Sequence, residues 1–251
     1  MNIDKTNSFS PSGVRGKFIL HKAATRGHAN HGWLNTHHTF SFANYYNPER
    51  VHFGALRVLN DDWIAGGEGF GKHPHDNMEI ITIPLKGAVE HKDSMGNKGI
   101  INAGEIQVMS AGTGIFHSEY NPSKDTALEL LQIWIFPDKK NVIPRYDQQS
   151  LADFEKSNEF YQILSPNPDD QGVWIHQQAW FNLGKLSKGW EGSYKFNNPQ
   201  SGIYIFMIEG EAIVAETTLN RRDGLAIWET DEIQINVKQE SQILIMEVPF
   251  V

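Results

Sequence analysis

The chain has 251 residues, of which 39% are hydrophobic, so it is long enough for one large or two ordinary domains with a true core. A formal charge of −8 leaves no basic surface for phosphates, which disfavours direct nucleic-acid binding. The absence of cysteine excludes disulfides, iron–sulfur clusters and thiolate sites, so any metal must be bound by histidine and carboxylate.

The start of the chain and its hydropathy predict a cytoplasmic protein. Residues 1–5 lack an apolar signal core, and no run of about 18 apolar residues occurs. We therefore expect neither secretion nor membrane spanning.

The first 46 residues are expected to contain little regular structure. Residues 1–16 are polar and are interpreted as a loosely attached arm, and residues 18–22 as the first strand. Residues 26–46 are dense in His, Asn and aromatic residues without a clean period, so we expect a long loop with one short strand. That loop is either a lid or wall over a metal pocket, or aromatic packing with histidines bonded to the backbone.

The remaining chain is typical of short strands joined by turns. A hairpin that turns at Asn60 is expected within residues 53–65. Further strands are expected at residues 79–84, 88–92, 106–110, 128–136, 172–176, 178–183, 202–208, 212–215, 225–228, 233–237 and 242–248. This spacing predicts an all-β protein of two antiparallel β-barrel or jelly-roll domains with few short helices.

The two halves are expected to be separated by a polar linker with two prolines. A short capped helix is predicted at residues 151–157, after Ser150. The predicted division is an N-terminal metal-binding domain at residues 1–137, a linker at 138–158 and a C-terminal domain without metal ligands at 159–251.

Four candidate metal ligands stand in two short groups, His73-Pro-His75 and His117-Ser-Glu119. Residues two apart in an extended segment project from the same face, so each pair can direct two donors toward one point. Three neutral imidazoles and one carboxylate suit Fe(II), Mn(II), Ni(II), Cu(II) or Zn(II). An octahedral ion would keep two positions for water, oxygen or a chelating substrate, whereas a tetrahedral zinc would be closed and structural.

An approximate alignment of the two halves predicts one metal ion per chain. Superposing the turns at Gly87 and Gly210 places Phe196 and Asn198 opposite the first pair of ligands. The second pair is equally without counterparts. The second half is therefore expected to keep the scaffold and to lack the ligands.

These residues resemble known motifs. Two glycine-bounded groups are similar to the first and second cupin motifs, with small departures in spacing: Gly67, His73, His75, Glu79 and Gly87, then Gly104, Gly112, His117 and Asn121. A more specific resemblance is to the pirin family, and it rests on His73-Pro-His75, residues 109–119 and Gln132-Ile-Trp134. Residues 26–34 and 38–46 are similar to bacterial pirins.

The resemblance implies a bicupin with one N-terminal iron site, and with residues matching His73, His75, His117 and Glu119 as ligands. Glu79 matches a cupin glutamate that is not among those pirin ligands. We expect it behind the ligands, where it orients one of them or moves a proton, or else makes a structural hydrogen bond.

The resemblance also implies two different functions. One is quercetin 2,3-dioxygenase activity on a small aromatic substrate, in which Glu119 is the catalytic residue that accepts the hydroxyl proton. The alternative is an iron-binding, redox-sensitive regulator that binds a partner enzyme or transcription factor. Phe40, Phe42, Phe70 and Phe116 either wall an apolar pocket or belong to ordinary core. A monomer is expected.

Overall fold

The computed structural model describes residues 16–250, and strands dominate that range. Within it the single helical element is a 3₁₀ helix, Ala23–Thr25, and no helix is long and apolar enough to span a membrane. Strands β1 to β11 are Lys17–His21, Gly27–Asn30, Leu34–His38, Leu56–Ile64, Gly69–His75, Glu79–Lys86, Ala88–Asp93, Lys98–Asn102, Glu105–Ser110, Ile115–Tyr120 and Leu128–Ile135. Strands β12 to β22 are Arg145–Ser150, Phe160–Ser165, Val173–Trp174, Trp180–Leu186, Glu191–Lys195, Gly202–Glu209, Glu211–Val214, Thr217–Asn220, Gly224–Trp228, Glu232–Val237 and Ser241–Val248. The predicted all-β class is confirmed; the arm predicted at residues 1–16 lies outside the described residues except for Gly16.

The described chain divides into two compact units. The first unit contains residues 26–155 and 161–181, and the second contains residues 16–25, 156–160 and 182–250. The second unit includes the first strand, because β1 pairs along β20 with Lys17 opposite Trp228. The domain boundaries expected at residues 137 and 159 stay a prediction.

The first unit is built from two antiparallel sheets. One has seven strands in the order β12-β9-β6-β11-β4-β3-β2, and the other has four in the order β5-β10-β7-β8. Along β10 the side chains of Ile115, His117 and Glu119 are buried, whereas Phe116 and Tyr120 are exposed. This alternation places the second predicted ligand pair on the inner face of the four-stranded sheet.

The apolar core of the first unit includes two separate clusters of buried side chains. Ile64 and Leu130 belong to one cluster, and Phe70 packs against it. Ile80 belongs to the other, and Trp134 packs against that one. Phe70 and Trp134 both line the pocket described below, so the pocket lies between the two clusters.

The second unit repeats this architecture. Its strands follow the orders β1-β20-β17-β22-β15 and β16-β21-β18-β19, which match β12-β9-β6-β11-β4 and β5-β10-β7-β8 strand by strand. The turns at Gly87 and Gly210 join equivalent strands, as the alignment predicted. A buried apolar cluster that includes Tyr194, Phe196 and Ile235 occupies the second unit. Among the described residues, the groups of histidine and carboxylate that could hold a metal all lie in the first unit.

The hairpin expected at residues 53–65 is wrong. Strand β4 runs without a turn through Asn60, Asp61 and Asp62. A central strand accepts these polar residues because Asn60 and Asp62 line a polar part of the pocket. Asp61, which points the other way, forms an ion pair with Arg26 at 3.1 Å.

The loop expected at residues 26–46 is also only partly correct. It contains two strands rather than one, and β2 pairs with β3 so that Gly27 lies opposite His38. Strand β3 then joins the sheet through β4. The side chains of β3 alternate between buried and partly buried positions, but Thr36 and His38 occupy two of the buried positions in place of apolar residues.

The linker helix expected at residues 151–157 is absent from the described structure. The amides of Phe154 and Glu155 both donate to the carbonyl of Leu151, which makes a turn that does not continue. Only Leu151 is buried there, so a helix would have no apolar face to pack. The preceding residues form β12 and pair with β9.

Candidate metal centre

Three imidazole rings meet on the inner face of the four-stranded sheet. Strand β10 pairs with β5, which sets His117 opposite His73 and Ile115 opposite His75. The ring centroids are 4.4 Å apart for His73 and His117, 4.8 Å for His75 and His117, and 4.9 Å for His73 and His75. One nitrogen from each ring lies within 4.8 Å of the others, so a single ion could contact all three.

Two of the three rings are in the neutral protonation state that binds metals. In the third ring, Nδ1 of His73 lies 2.7 Å from the carbonyl oxygen of Gly71 and donates to it, so Nε2 is the nitrogen available to a metal. Burial and the neighbouring His73 lower the pKa of His75 to about 4. Burial and the surrounding histidines lower the pKa of His117 to about 2. His75 and His117 are therefore neutral at neutral pH.

His117 carries the strongest sign that this cluster binds a ligand. Its side chain is 2% exposed, and both Nδ1 and Nε2 are buried without a hydrogen-bond partner in the described structure. Buried polar atoms almost always have a hydrogen-bond partner or bind a metal. A neutral imidazole has one nitrogen with a lone pair, so the ring of His117 is expected to bind a ligand that accepts this lone pair, such as a metal ion. A first-row divalent ion fits this set of donors.

Glu119 is held rigidly beside the imidazoles. Its Oε1 accepts a hydrogen bond from Oγ1 of Thr82 at 3.0 Å, and its Oε2 accepts one from Nε2 of Gln132 at 2.9 Å. Burial raises the pKa of Glu119, while His91 and the two hydrogen bonds oppose that rise. A carboxylate oxygen of Glu119 also lies within 4.8 Å of nitrogens of His91 and His117.

His91 also belongs to this site, although its sequence context did not predict it. It lies on β7 opposite Glu119, is wholly buried, and its ring centroid is 5.3 Å from that of His117. Its Nδ1 has no partner in the described structure, and its Nε2 lies 3.4 Å from Oδ2 of Asp93. The available signal was its place on the same strand face as Val89, where an apolar residue is expected.

A cavity of about 450 Å³ opens beside the imidazole cluster. Its aromatic walls include Phe42, Tyr45, Phe70 and Trp134. The rings of His75 and Trp134 meet edge to face, with centroids 4.9 Å apart and planes at 84°. A pocket of this size with flat aromatic walls suits a small planar aromatic molecule.

Of the four phenylalanines that the sequence offered as possible pocket walls, only two line the pocket. Phe42 and Phe70 line the pocket, whereas Phe40 is buried elsewhere in the core. Phe116 is 47% exposed, and Nζ of Lys72 lies 5.1 Å from its ring centroid. Several residues between 28 and 45 line the pocket, which agrees with the wall interpretation of that segment.

A row of buried polar side chains crosses the seven-stranded sheet. The strand registers set His38 opposite Asn60, Asn60 opposite Gln132, and Gln132 opposite Thr82. Nδ1 of His38 lies 2.9 Å from Oδ1 of Asn60, and Oγ1 of Thr82 lies 3.3 Å from Oε1 of Gln132. Because Thr82 and Gln132 both bind Glu119, this polar row leads from the pocket wall to the imidazole cluster.

Glu79 lies outside the pocket lining. It is 1% exposed, and its Oε2 accepts a hydrogen bond from Oγ of Ser110 at 2.7 Å. Burial raises the pKa of Glu79 to about 7, although Ser110, Arg145 and the backbone of His176 lower it. These contacts favour the structural hydrogen bond, and a role in orienting a metal ligand stays a prediction.

The chain contains two units of antiparallel strands with matching strand orders, and one of them carries clustered His and Glu on its inner face. This combination defines a protein of two cupin domains. The Pirin family model matches residues 20–135, and the model for the quercetinase C-terminal cupin domain matches residues 162–248. The chain belongs to the pirin family, and the predicted bicupin fold is confirmed.

Individual relatives agree with this assignment. A quercetin 2,3-dioxygenase of Escherichia coli (strain K12) is 45% identical over 230 residues, which cover 92% of this chain and 98% of the relative. The crystal structure of the bacterial pirin YhhW in complex with nickel(II), also from Escherichia coli, is 44% identical with a TM-score of 0.88, covering 94% of this chain and 100% of that chain. A pirin-like protein of Caulobacter vibrioides is 39% identical over 222 residues, 88% of this chain and 95% of the relative.

Proposed function

We propose that this protein is a metal-dependent dioxygenase of the quercetin 2,3-dioxygenase type, which opens the ring of a flavonol-like substrate. The observation that carries the proposal is His117, whose two buried and unpartnered nitrogens lie in a cluster of three imidazoles at the edge of an aromatic pocket. The name of the Escherichia coli relative supports the same reaction.

We assign His73, His75, His117 and Glu119 as the ligands of one divalent ion per chain. Iron(II) is the proposed native ion; imidazole and carboxylate donors also accept Zn, Mn, Ni or Cu, and the bacterial pirin relative forms a complex with nickel(II). When bound, iron(II) or another redox-active ion of this set would supply Lewis acidity and one-electron chemistry toward dioxygen, whereas zinc would supply Lewis acidity alone.

The chain's own residues would bind the flavonol and move its proton. One flavonol and one O₂ give one depside and one carbon monoxide, with cleavage of two carbon–carbon bonds of the heterocycle. Glu119 accepts the proton of the 3-hydroxyl, which later goes to the carboxylate of the depside. Thr82 and Gln132 fix the position of that carboxylate, and the aromatic walls orient the ring and exclude water.

The test is oxygen uptake by purified protein loaded anaerobically with Fe(II), and separately with Ni(II), in the presence of quercetin. We expect uptake, quercetin loss and carbon monoxide release in equal amounts. His73→Ala should abolish all three. The matched control is His52→Ala, because His52 is exposed and does not line the pocket.

The opposite result would redirect the search. Full metal occupancy with no uptake, for every first-row ion tested, would contradict the dioxygenase proposal. It would favour the regulatory alternative, in which the state of the metal is read by a partner protein. His73→Ala should weaken metal binding under either function, so oxygen uptake by the fully metal-loaded wild type is the measurement that separates the two.

A further inference from the structure

The polar part of the pocket contains a carboxyl group that the proposed reaction does not use. Asp62 lines the cavity from β4 and is only 5% exposed. Its Oδ1 is buried and has no hydrogen-bond partner in the described structure. Burial raises the pKa of Asp62 to about 7, so the fold keeps this acid at a cost in stability.

The surrounding hydrogen bonds leave the carboxyl incompletely satisfied. Nδ1 of His38 donates to Oδ1 of Asn60 at 2.9 Å, which leaves the hydroxyl of Thr36 free to donate to Asp62. Thr36 supplies a single hydrogen, whereas an ionised carboxylate accepts about four. Asp62 itself lines the cavity, so the unpartnered oxygen belongs to a residue that a ligand in the cavity would meet.

Asp62 lies at a different position of the sheet from Gln132, although the charge of Glu119 contributes to the rise in the pKa of Asp62. It is two residues from Asn60, about 7 Å along the strand, and Asn60 is one strand from Gln132, about 5 Å across the sheet. Gln132 contacts Glu119 directly. A ligand group that reaches Asp62 is therefore a different group from the one that faces Glu119.

We propose that Asp62 is a specificity residue that accepts a hydrogen bond from a second phenolic hydroxyl of the ligand, so that the pocket selects polyhydroxylated over singly hydroxylated flavonols. This inference rests on the proposed function, because it takes the ligand to be a flavonol-like aromatic. An apolar wall at this position would disfavour the additional hydroxyls, because they would lose water without gaining a hydrogen bond. A hydrogen-bond acceptor at Asp62 offsets that loss for a polyhydroxylated ligand.

The test is a comparison of two ligands bound to Fe(II)-loaded protein without oxygen, so that no turnover occurs. Quercetin carries five hydroxyls, and 3-hydroxyflavone carries only the one at position 3. The dissociation constants of both are measured for the wild type, for Asp62→Leu, and for Asp62→Asn in case the leucine variant does not fold. Asp61→Asn is the matched control, because Asp61 pairs with Arg26 and does not line the pocket.

We expect the wild type to bind quercetin about 10- to 100-fold more tightly than 3-hydroxyflavone, as a hydrogen bond to a charged group allows. Asp62→Leu should reduce that ratio to near one, Asp62→Asn should leave a few-fold preference, and Asp61→Asn should keep the wild-type ratio. A purely structural role for Asp62 would weaken both ligands equally and leave their ratio unchanged.

Outcomes for the two proposals are separable. An equal ratio in the wild type and both Asp62 variants, or no binding of either ligand, overturns the role of Asp62. If quercetin is consumed while that ratio is insensitive to Asp62, the dioxygenase proposal stands and this inference fails. If the ratio depends on Asp62 while no oxygen is consumed, the reverse holds.

Discussion

At the scale of single residues, the first unit buries three carboxyl groups, two of them at the pocket. Asp62 and Glu119 line the pocket, and Glu79 lies outside it, and burial raises the pKa of each. Buried acids without full compensation cost folding free energy. The two at the pocket, Asp62 and Glu119, indicate that the pocket is selected for binding rather than for stability alone.

Removing the buried acid at Asp62 should stabilise the metal-free protein. The folded-state pKa of about 7 lies above the ordinary 3.8, so the folded state binds the proton more tightly and wild-type stability falls as pH rises through that window. The Asp62→Asn variant does not lose stability in this way, because its amide does not titrate. Its advantage in unfolding free energy should be small near pH 4 and grow to a few kcal/mol above pH 7, since one pKa unit corresponds to about 1.4 kcal/mol.

Urea unfolding at pH 5 and pH 7.5 measures this difference. Asp61→Asn serves as the control, because Asp61 is ion-paired and no such gain is expected from it. A constant difference between Asp62→Asn and the wild type at the two pH values would contradict the prediction.

The amide of Gln132 should determine how tightly the metal is held. Gln132→Met removes the donor that contacts Oε2 of Glu119 while keeping similar bulk. Loss of such a supporting hydrogen bond typically weakens metal affinity about 10-fold or more. Competition against a chelator measures the affinity, and Gln234→Met, at an exposed position of β21, should show the wild-type value.

At the scale of elements, the turn between β9 and β10 sets the position of His117. Gly112 has φ 48°, and an added Cβ there would meet the carbonyl of Val142. Gly104 has φ 88°, but a Cβ added to Gly104 would meet no atom within 4 Å. Comparing an alanine substitution at Gly104 with one at Gly112 therefore separates the cost of backbone strain from the cost of a steric collision.

Gly112→Ala should destabilise the protein more than Gly104→Ala, and only Gly112→Ala should lower metal affinity. Each alanine pays about 1–2 kcal/mol for the left-handed backbone, and the collision adds to that at Gly112. Thermal unfolding and metal titration of the two variants test this. Equal losses would show that the contact with Val142 relaxes freely.

The strands show how far local pattern reaches. Those that alternate or are continuously apolar, such as β6, β11 and β22, were predicted closely. Strand β4 was not, because Asn60-Asp61-Asp62 has the composition of a turn. Its polar residues are acceptable only beside the polar pocket, which is formed by strands distant in sequence. The same cause hid β3, where Thr36 and His38 take buried positions.

At the scale of the whole molecule, one architecture is used twice with different interiors. The first unit carries a polar pocket and the imidazole cluster, and the second carries apolar residues such as Phe196 and Ile235. A buried carboxylate does occur in the second unit, but Glu247 accepts hydrogen bonds from the backbone amides of Asn197 and Asn198. That role is structural.

Metal content should therefore be one ion per chain, and it should vanish in His117→Ala but not in His52→Ala. Saturating metal should also raise stability, by about 2.7 kcal/mol when the free ion is at 100 times its dissociation constant. Elemental analysis and thermal unfolding with and without chelator measure both. A second ion that remains bound in His117→Ala would contradict the expectation that the second unit lacks ligands, because both candidate groups of the first unit contain His117.

The sequence by itself determined the β class, the repeat and the candidate ligands, because two-residue spacing on an extended strand and glycine at turns are local properties. Tertiary structure decided the rest. Antiparallel pairing sets strands that are far apart in sequence side by side, and only this pairing brings four further residues into the site: Asn60, Asp62, His91 and Gln132. Which polar residue is a turn and which is a pocket wall depends on that pairing, and no local pattern contains it.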